Sequence, residues 1–567
     1  MTKTNEDAAA VGRAMWRFRR AAVLVALFSA AVNLLMLTGP IFMLQIYDRV
    51  LTSGSVPTLV ALFGLVAALF AMMGLFDLVR TRILSRVGHG IDETLAPVAF
   101  RTWLARSLGG HAPGYKPVQD LTTLRGFIAS PTMLALFDLP WFPIYLGVVF
   151  MLHVQLGLLA LAGAAVVLVL ALLNEWTTAR AAAAGARGEV AEARFAEQAQ
   201  LGADGILAMG MADKAETAWR GLRHCALTDG QRAAERSEFF TAASKAFRLL
   251  LQSAILGLGA WLAIGQEITP GMIVAASIIA GRALAPIDQT IGGWRMIKRA
   301  RIARQRLSDY LSALETAAPS PIQLPQPTGR VEARGVTKLA PGSERTGEGR
   351  AILSDISFSL DPGEGVGVIG PSASGKTSLA KLLTGLWLPD KGALRVDGAT
   401  FQQWDPAQIG PALGYLPQRV SLLSGSIAQN IARFDPDASN EEIVEAAQMA
   451  GVHRMILGLP DGYATNVDAA LSPLTGGQVQ RIALARALFR RPRLVVMDEP
   501  NSNLDAEGDV ALANAIQALR EDGATVVVMA HRPSAIAAVD KVMVLHAGRI
   551  EEFGEKAAVL RSQTRAA

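Results

Sequence analysis

Six long apolar segments constrain the fold more than any other feature of the sequence. They lie at about residues 21–44, 56–79, 133–152, 156–173, 249–264 and 272–291. Each is close to the roughly 20 residues that a helix needs to cross a bilayer. Hydrophobic residues make up 51% of the 567 residues, charged residues only 18%, and the mean hydropathy is +0.31. This composition is typical of a chain that buries much of its surface in a lipid bilayer, so we expect six membrane helices.

The first apolar segment could also be a secretory signal peptide, because basic residues precede it. It is longer than the apolar region of a signal peptide, no small-residue cleavage motif follows it, and a second span comes soon after. We therefore interpret it as the first membrane helix, with residues 1–20 as a cytoplasmic N-terminal segment. In the later spans, Pro140 and Pro143 are expected to interrupt the third helix, and Pro286 to end the sixth.

The distribution of arginine predicts the orientation in the membrane. The connections 48–57, 153–155 and 265–271 contain one Arg and no Lys, whereas the N-terminus and residues 80–125 and 295–306 are rich in Arg. By the positive-inside rule both termini should be cytoplasmic. The net charge of +5 is modest, and no basic patch is interleaved with aromatic residues, so we expect no nucleic-acid binding. Cys225 is the only cysteine, which excludes an intramolecular disulfide.

The remaining sequence divides into cytoplasmic helices, a linker and a second domain. Residues 80–131 and 174–248 favour helix and should extend the membrane helices into the cytoplasm. Within them, 118–127 and 200–209 are either coupling segments or plain connectors. Proline-rich residues within 316–328 predict an extended linker between a membrane domain at 21–315 and a domain at 329–567. The second domain alternates short β-rich runs with helical stretches, which indicates an α/β fold with a largely parallel sheet.

Residues 370–377 fit the pattern G-x-x-x-x-G-K-[ST] directly after an apolar run. A loop of this kind turns successive backbone N–H groups inward around a phosphate, and the positive end of the following helix faces the same anion. Lys376 would reach the β- and γ-phosphates, and Thr377 would offer its hydroxyl to Mg²⁺. The alternative is a Gly/Ser-rich turn without a ligand, which the later motifs disfavour. The predicted nucleotide-binding residues are Gly370, Pro371, Ser372, Ala373, Ser374, Gly375, Lys376, Thr377 and Ser378.

Further polar residues follow apolar strands in the same domain. Asp498 and Glu499 end the apolar run 493–497. Asp498 could hold Mg²⁺, and Glu499 could activate the attacking water as general base, although two acids after a strand can also be solvated. Gln418 follows another short strand, and its neutral amide could ligate Mg²⁺ or orient water.

Residues Leu474, Thr475, Gly476, Gly477 and Gln478 precede the helical run 479–489. The Thr475 hydroxyl could cap that helix, and the glycines would let a phosphate approach its N-terminus. Asp505 lies in the loop after the acids. His531 ends a later strand. A lone histidine is more often structural, but at the end of a sheet strand beside a phosphate site it could donate to the γ-phosphate.

The order and spacing of these motifs resemble the ABC transporter family: phosphate loop, glutamine loop, Leu-Thr-Gly-Gly-Gln signature, acidic strand end, Asp505 loop and His531 switch. The resemblance implies ATP hydrolysis with Mg²⁺, and two nucleotide domains packed head to tail. The signature and Asp505 would then contact the ATP of the opposing subunit, which implies a homodimer. Thr475 departs from the usual serine of the signature, and Ala469 from a usual acidic residue, which leaves their effect on activity and coupling open.

The membrane half resembles type I secretion ATPases of the protease and RTX-protein exporting branch. The segments that carry this resemblance are residues 43–51, 136–141, 208–211 and 281–286. It implies a six-helix domain of the type I ABC exporter kind, fused to an α/β P-loop ATPase in the bacterial inner membrane. It also implies a periplasmic adaptor, an outer-membrane channel and an unfolded substrate with a C-terminal signal. An exporter of lipid or small amphiphilic molecules is the alternative, and a non-transporting scaffold a third possibility.

Overall fold

Long apolar helices form the first half of the chain, and a mixed α/β arrangement forms the second. The computed structural model describes residues 3–107, 117–315, 324–340, 350–467, 474–502, 504, 506–530 and 536–566. Its contacts separate two units, one mainly of Lys3–Leu104 and Ala112–Thr316, the other mainly of Ala317–Ala567. The predicted linker begins outside the described residues, so its boundaries stay a prediction.

Twelve helices make up the described part of the first unit. They are α1 (Lys3–Leu35), α2 (Thr38–Gln45), α3 (Leu51–Ser53), α4 (Val56–Ser107), α5 (Pro117–Ile128), α6 (Pro131–Asp138), α7 (Phe142–Leu152), α8 (Val154–Leu201), α9 (Ala203–Ala208), α10 (Ala212–Ile264), α11 (Pro270–Gly292) and α12 (Trp294–Glu315). A π-helical turn at Ile46–Val50 joins α2 to α3. Six stretches of the described residues are long and apolar enough to span a membrane, which confirms the predicted number.

Proline has different effects in the third and sixth spans. The third is interrupted as expected, because α6 ends at Asp138 and a 3₁₀ turn leads into α7. The expectation that Pro286 ends the sixth span was wrong, because α11 continues to Gly292 with Pro286 inside it. Pro286 is buried there, and its carbonyl accepts a bond of 2.8 Å from the Thr290 hydroxyl. An internal proline is thus accommodated in this span without ending it.

The predicted helical extensions are present. Helices α4, α8 and α10 run unbroken for 52, 48 and 53 residues, and 53 residues of α-helix span about 80 Å, far more than the hydrocarbon core. Residues 118–127 lie within α5, and 200–209 contain the short helix α9. Leu201, Leu207 and Met209 are 86%, 69% and 69% exposed around α9. Coupling through these two segments stays a prediction.

A buried polar network joins four helices of the first unit. Arg80 of α4 is 5% exposed, and its Nη1 donates to Asp138 Oδ1 at 2.8 Å and to Ser29 Oγ at 2.9 Å. Asn33 Nδ2 donates to the same Asp138 oxygen at 2.7 Å, and the Tyr145 hydroxyl donates to Asn33 Oδ1 at 2.9 Å. Because charges away from water are stable only when paired, this network fixes α1, α4, α6 and α7 relative to one another.

The described part of the second unit contains twelve strands: β1 (Val331–Leu339), β2 (Ala351–Leu360), β3 (Gly365–Ile369), β4 (Lys391–Val396), β5 (Ala399–Thr400), β6 (Leu413–Leu416), β7 (Gly425–Ser426), β8 (Asn466–Val467), β9 (Leu494–Asp498), β10 (Thr525–Met529), β11 (Lys541–His546) and β12 (Arg549–Glu555). Its helices are α13 (Lys376–Leu383), α14 (Pro406–Ile409), α15 (Ile427–Ile431), α16 (Asn440–Met449), α17 (His453–Leu457), α18 (Gly476–Leu488), α19 (Ala506–Glu521) and α20 (Lys556–Ala566).

The main sheet has the order β12-β11-β3-β10-β9-β6. All neighbouring strands in it are parallel except the β11–β12 pair, which confirms the predicted largely parallel α/β fold. A second sheet, β2-β1-β4-β5, is antiparallel. Strands β9 and β10 are buried along their whole length, because one face of the sheet packs against α18 and α19 and the other against α13 and the second sheet.

We predict that Arg80→Met lowers the stability of the first unit by about 3 kcal/mol, because it leaves the half-buried Asp138 carboxylate, with its side chain 13% exposed, without its cation. Thermal unfolding of the purified protein in detergent measures this effect. Arg82→Met, which removes an exposed arginine of the same helix, is the matched control. The double variant Arg80→Met/Asp138→Asn should be more stable than Arg80→Met alone, and equal unfolding temperatures for Arg80→Met and wild type would contradict the prediction.

Candidate functional site

Three of the predicted motifs meet at the carboxyl edge of the main sheet. The phosphate loop follows β3, Asp498 ends β9, and Gln418 lies two residues after β6. Strand β10 lies between β3 and β9, with Val368, Met529 and Asp498 side by side in register. Because parallel strands end at the same edge, the sheet brings these polar residues together, as expected for ligand binding in such folds.

The phosphate loop has the backbone conformation that its glycines permit. Gly370 and Gly375 have φ of +155° and +105°. A Cβ at Gly375 would lie 2.7 Å from Leu353 Cδ2, and one at Gly370 would collide with the Leu545 carbonyl. Ala373 also has positive φ, at +64°, which costs a residue with a Cβ about 1–2 kcal/mol. The surrounding structure therefore holds the loop in a strained shape that suits anion binding.

Lys376 begins α13 and bends back over the loop. Its Nζ donates to the Gly370 carbonyl at 2.7 Å and to the Pro371 carbonyl at 3.0 Å, and the residue is 6% exposed. Burial lowers the pKa of this ammonium, while the nearby Glu499 and Asp498 carboxylates oppose that shift. The cation is thus fixed at the loop, where it can contact phosphate oxygens. Thr377 and Ser378 are half-buried in the first turn of the same helix.

Asp498 is a buried carboxylate that fits a cation. It is 1% exposed, and neither carboxylate oxygen accepts a hydrogen bond of good geometry from the described residues. Burial raises the pKa of this carboxyl, while the Thr377 hydroxyl is near enough to oppose the shift in part. The described residues contain no group of three or more His, Cys, Asp or Glu placed to hold a metal. Mg²⁺ is commonly held by one or two carboxylates together with phosphate oxygens and water. The Asp498 carboxylate beside the phosphate loop fits such a site.

Glu499 lies in a strained turn directly after β9. Its φ is +53°, and its backbone N–H donates to the Met529 carbonyl at 3.0 Å. Non-glycine residues in this region are uncommon and cluster at functional sites. Gln480 of α18 supports the turn, because its Nε2 donates to the Glu499 carbonyl at 3.4 Å and to the Pro500 carbonyl. Sequence reasoning missed Gln480, since a glutamine within a helix carries no signal of its own.

The Leu474–Gln478 signature forms the start of α18. The Thr475 hydroxyl accepts from Gln478 N at 3.4 Å, and Gln478 Oε1 accepts from Thr475 N at 2.8 Å. This capping box gives Thr475 the predicted N-cap position. Thr475 and Gly476 are exposed, and a Cβ at Gly476 would meet nothing within 4 Å among the described residues. The helix N-terminus is therefore open to an incoming anion.

Several predicted site residues lack described geometry or a described contact with the loop. Gln418 is exposed at the carboxyl edge. Asp505 and His531 lie outside the described residues, as does Ala469. Their roles stay predictions.

Comparison with known protein families gives two matches. The ABC transporter transmembrane region matches residues 22–283, and the ABC transporter domain matches residues 353–502. Together they cover most of both units.

Several bacterial proteins are similar along nearly the whole chain. The type I secretion system ATP-binding protein PrsD of Rhizobium meliloti is 43% identical over 545 residues, covering 96% of this chain and 92% of that protein. The cyclolysin secretion/processing ATP-binding protein CyaB of Bordetella pertussis is 28% identical, covering 94% and 75%. The alpha-hemolysin translocation ATP-binding protein HlyB of Escherichia coli O157:H7 is 27% identical, covering 95% and 76%.

A solved structure has the same fold. The bacterial Atm1-family ABC exporter with ATP bound superposes with a TM-score of 0.79, covering 96% of each chain at 24% identity. This likeness concerns the fold alone.

We predict that Thr475→Ala lowers the stability of the second unit by about 1 kcal/mol, because it removes one half of the capping box of α18. Thr475→Ser keeps the hydroxyl and should unfold close to the wild-type temperature. Thermal unfolding of the two purified variants measures the difference. Equal unfolding temperatures would show that the cap does not stabilise α18.

Proposed function

Because the chain belongs to the ABC transporter family, we propose that it is the ATPase and permease of a type I secretion system, an ATP-driven exporter of unfolded protein. The observation that carries this proposal is the 43% identity to a type I secretion ATP-binding protein over 96% of the chain. Relatives named for cyclolysin and alpha-hemolysin translocation support protein as the cargo. Export of lipid or small amphiphiles has no such support.

The protein is a multi-pass inner-membrane protein with its ATPase domain in the cytoplasm. Six spans in the described residues return the chain to the side on which it began, and the arginine-rich connections lie on that same side. We place the membrane domain at 21–315, a linker at 316–328 and the nucleotide domain at 329–567.

We assign ATP binding to the loop of residues 370–378. Its backbone N–H groups and Lys376 would surround the phosphates, since the loop has the glycine-dependent shape and the fixed ammonium that such binding needs. Thr377, Asp498 and Gln418 would hold Mg²⁺. The ion would neutralise charge on the β- and γ-phosphates.

Hydrolysis needs a base beside the γ-phosphate. Glu499 is our candidate, because its turn lies one residue after the buried Asp498 and is held from both β10 and α18. Gln418 would orient the attacking water, and His531 would donate to the γ-phosphate. These groups work by position and charge, which supply most of the catalysis in phosphoryl transfer.

We propose that the functional unit is a homodimer. The signature at the start of α18 is exposed and open to an anion, so it can complete the ATP site of a second copy together with Asp505. Closure around two ATP molecules would reach the membrane spans through the continuous helices α4, α8 and α10. We further propose a periplasmic adaptor, an outer-membrane channel and a substrate with a C-terminal signal as partners.

Stimulation of ATP hydrolysis by cargo tests this function. The purified protein in lipid vesicles should hydrolyse ATP faster when a candidate cargo is added. This cargo is an unfolded polypeptide that is encoded by a gene next to its own and ends in a C-terminal signal. The matched control is the same polypeptide without its C-terminal segment, which should stimulate less. Stimulation by added lipid alone, with none by the polypeptide, would overturn protein export in favour of lipid export.

We predict that Glu499→Gln lowers the rate of ATP hydrolysis by about 10² to 10⁴, because an amide cannot accept the proton of the attacking water. The half-saturating concentration of ATP should change little, since the phosphate loop is intact. Steady-state phosphate release measures both quantities. Hydrolysis at the wild-type rate would remove Glu499 from the role of base.

A further inference from the structure

The side chain of Arg433 lies where the signature helix α18 ends against strand β6. Arg433 follows α15, and its guanidinium donates only to backbone carbonyls among the contacts described. Nε donates to Arg486 O at 2.9 Å and Nη2 to Ala487 O at 3.1 Å. Nη1 donates to Gly410 O at 3.1 Å and to Leu413 O at 3.0 Å. One side chain thus ties the end of a helix to the start of a strand.

The two helix carbonyls need a partner. The last four carbonyls of an α-helix find no N–H donor within the helix. Helix α18 ends at Leu488. Arg486 O and Ala487 O belong to this last turn, where the helix dipole also favours a cation. Arg433 therefore caps the C-terminus of the helix whose N-terminus carries the signature.

The two remaining carbonyls, of Gly410 and Leu413, lie in the chain segment that leads to Gln418. Leu413 is the first residue of β6, and residues 413–421, here called the glutamine segment, contain Gln418. Gly414 in this segment packs directly on the end of α18: a Cβ there would collide with the Ala487 carbonyl and lie 2.9 Å from Pro492 Cγ. The helix end and the strand are thus in tight contact.

The far end of the glutamine segment is also bonded to α18. Arg486 Nη1 donates to the Ser421 carbonyl at 3.1 Å. Beyond it, the fully buried Asn430 fixes Leu423 through bonds of 2.9 Å and 2.8 Å to its N–H and carbonyl. Movement of α18 along its axis would therefore disturb both ends of the glutamine segment.

The chain adopts a strained backbone to place Arg433. Arg433 and Phe434 have φ of +56° and +59°, a region that is unfavourable for residues with a Cβ. Two successive residues in this region persist only where the surroundings hold them there. The four carbonyl bonds are such a constraint.

We propose that Arg433 is a positioning residue that couples the signature helix to the glutamine segment. The inference rests on the proposed homodimeric ATPase. Gln418 serves the ATP bound to its own chain, whereas Thr475–Gln478 serve the ATP of the partner subunit. A rigid joint between them makes the two ATP sites of the dimer respond together, which produces positive cooperativity.

The test compares Arg433→Met with Arg490→Met in the full-length protein. Methionine keeps an apolar stem but leaves four carbonyls without their donor. Arg490 is the matched control, because it also lies at the end of α18 but pairs with the carboxylates of Asp435 and Glu442. It makes none of the four carbonyl bonds of Arg433. ATP hydrolysis is measured against ATP concentration with Mg²⁺ present, together with thermal unfolding.

For Arg433→Met we expect kcat to fall about tenfold, with the half-saturating ATP concentration within about twofold of wild type. The Hill coefficient should fall from above one to about one. Arg490→Met should match wild type in all three quantities. Gly414→Ala forces β6 and the end of α18 apart without changing charge, so it should reproduce the Arg433→Met kinetics. Arg433→Lys should recover part of the loss.

Three results would overturn the coupling role. In the first, Arg433→Met and Gly414→Ala keep the wild-type Hill coefficient, whether or not thermal stability falls. In the second, the wild-type protein shows no cooperativity. In the third, Arg490→Met has the same kinetic effect as Arg433→Met. Failure of the proposed protein export is distinguishable, because it is measured by which added substrate stimulates ATP hydrolysis. The coupling role is measured by the Hill coefficients of Arg433→Met and Gly414→Ala.

Discussion

Backbone carbonyl and N–H groups without a partner are unstable away from water, and both units of this protein are arranged to satisfy them. In the membrane the requirement is met by long helices, and Pro286 lies buried inside α11, which continues past it to Gly292. In the second unit the same requirement places the guanidinium of Arg433 over the end of α18. Side chains thus complete the backbone bonding that regular structure leaves open.

Charged side chains away from water also need a partner. The buried Arg80 pairs with the half-buried Asp138, and the pair is bonded to Asn33 and Ser29, so it fixes helices in place. Asp498 is more deeply buried, at 1% exposed, but its carboxylate oxygens accept no hydrogen bond of good geometry from the described residues. The first arrangement is complete by itself, whereas the second suits an added cation. This difference separates a structural charge from one available for nucleotide chemistry.

Much of the architecture could be predicted from the sequence. The apolar segments gave the six spans, and the alternation of β-rich and helical runs gave the parallel sheet, because both signals are local and strong. The end of the sixth span at Pro286 was predicted wrongly, since a local rule about proline ignores what neighbouring residues supply. Gln480 and Arg433 were not predicted at all, because their roles depend on carbonyls far away in the sequence.

By itself the sequence determined the membrane class, the phosphate loop and the order of the nucleotide motifs, because glycine, lysine and acidic residues at fixed spacing have few other uses. Only the tertiary structure decided the order of the strands in the main sheet, the deep burial of Asp498, and how α18 meets the glutamine segment. Those facts arise from the order of strands in the sheet and from packing between residues distant in the chain, and no local pattern encodes them.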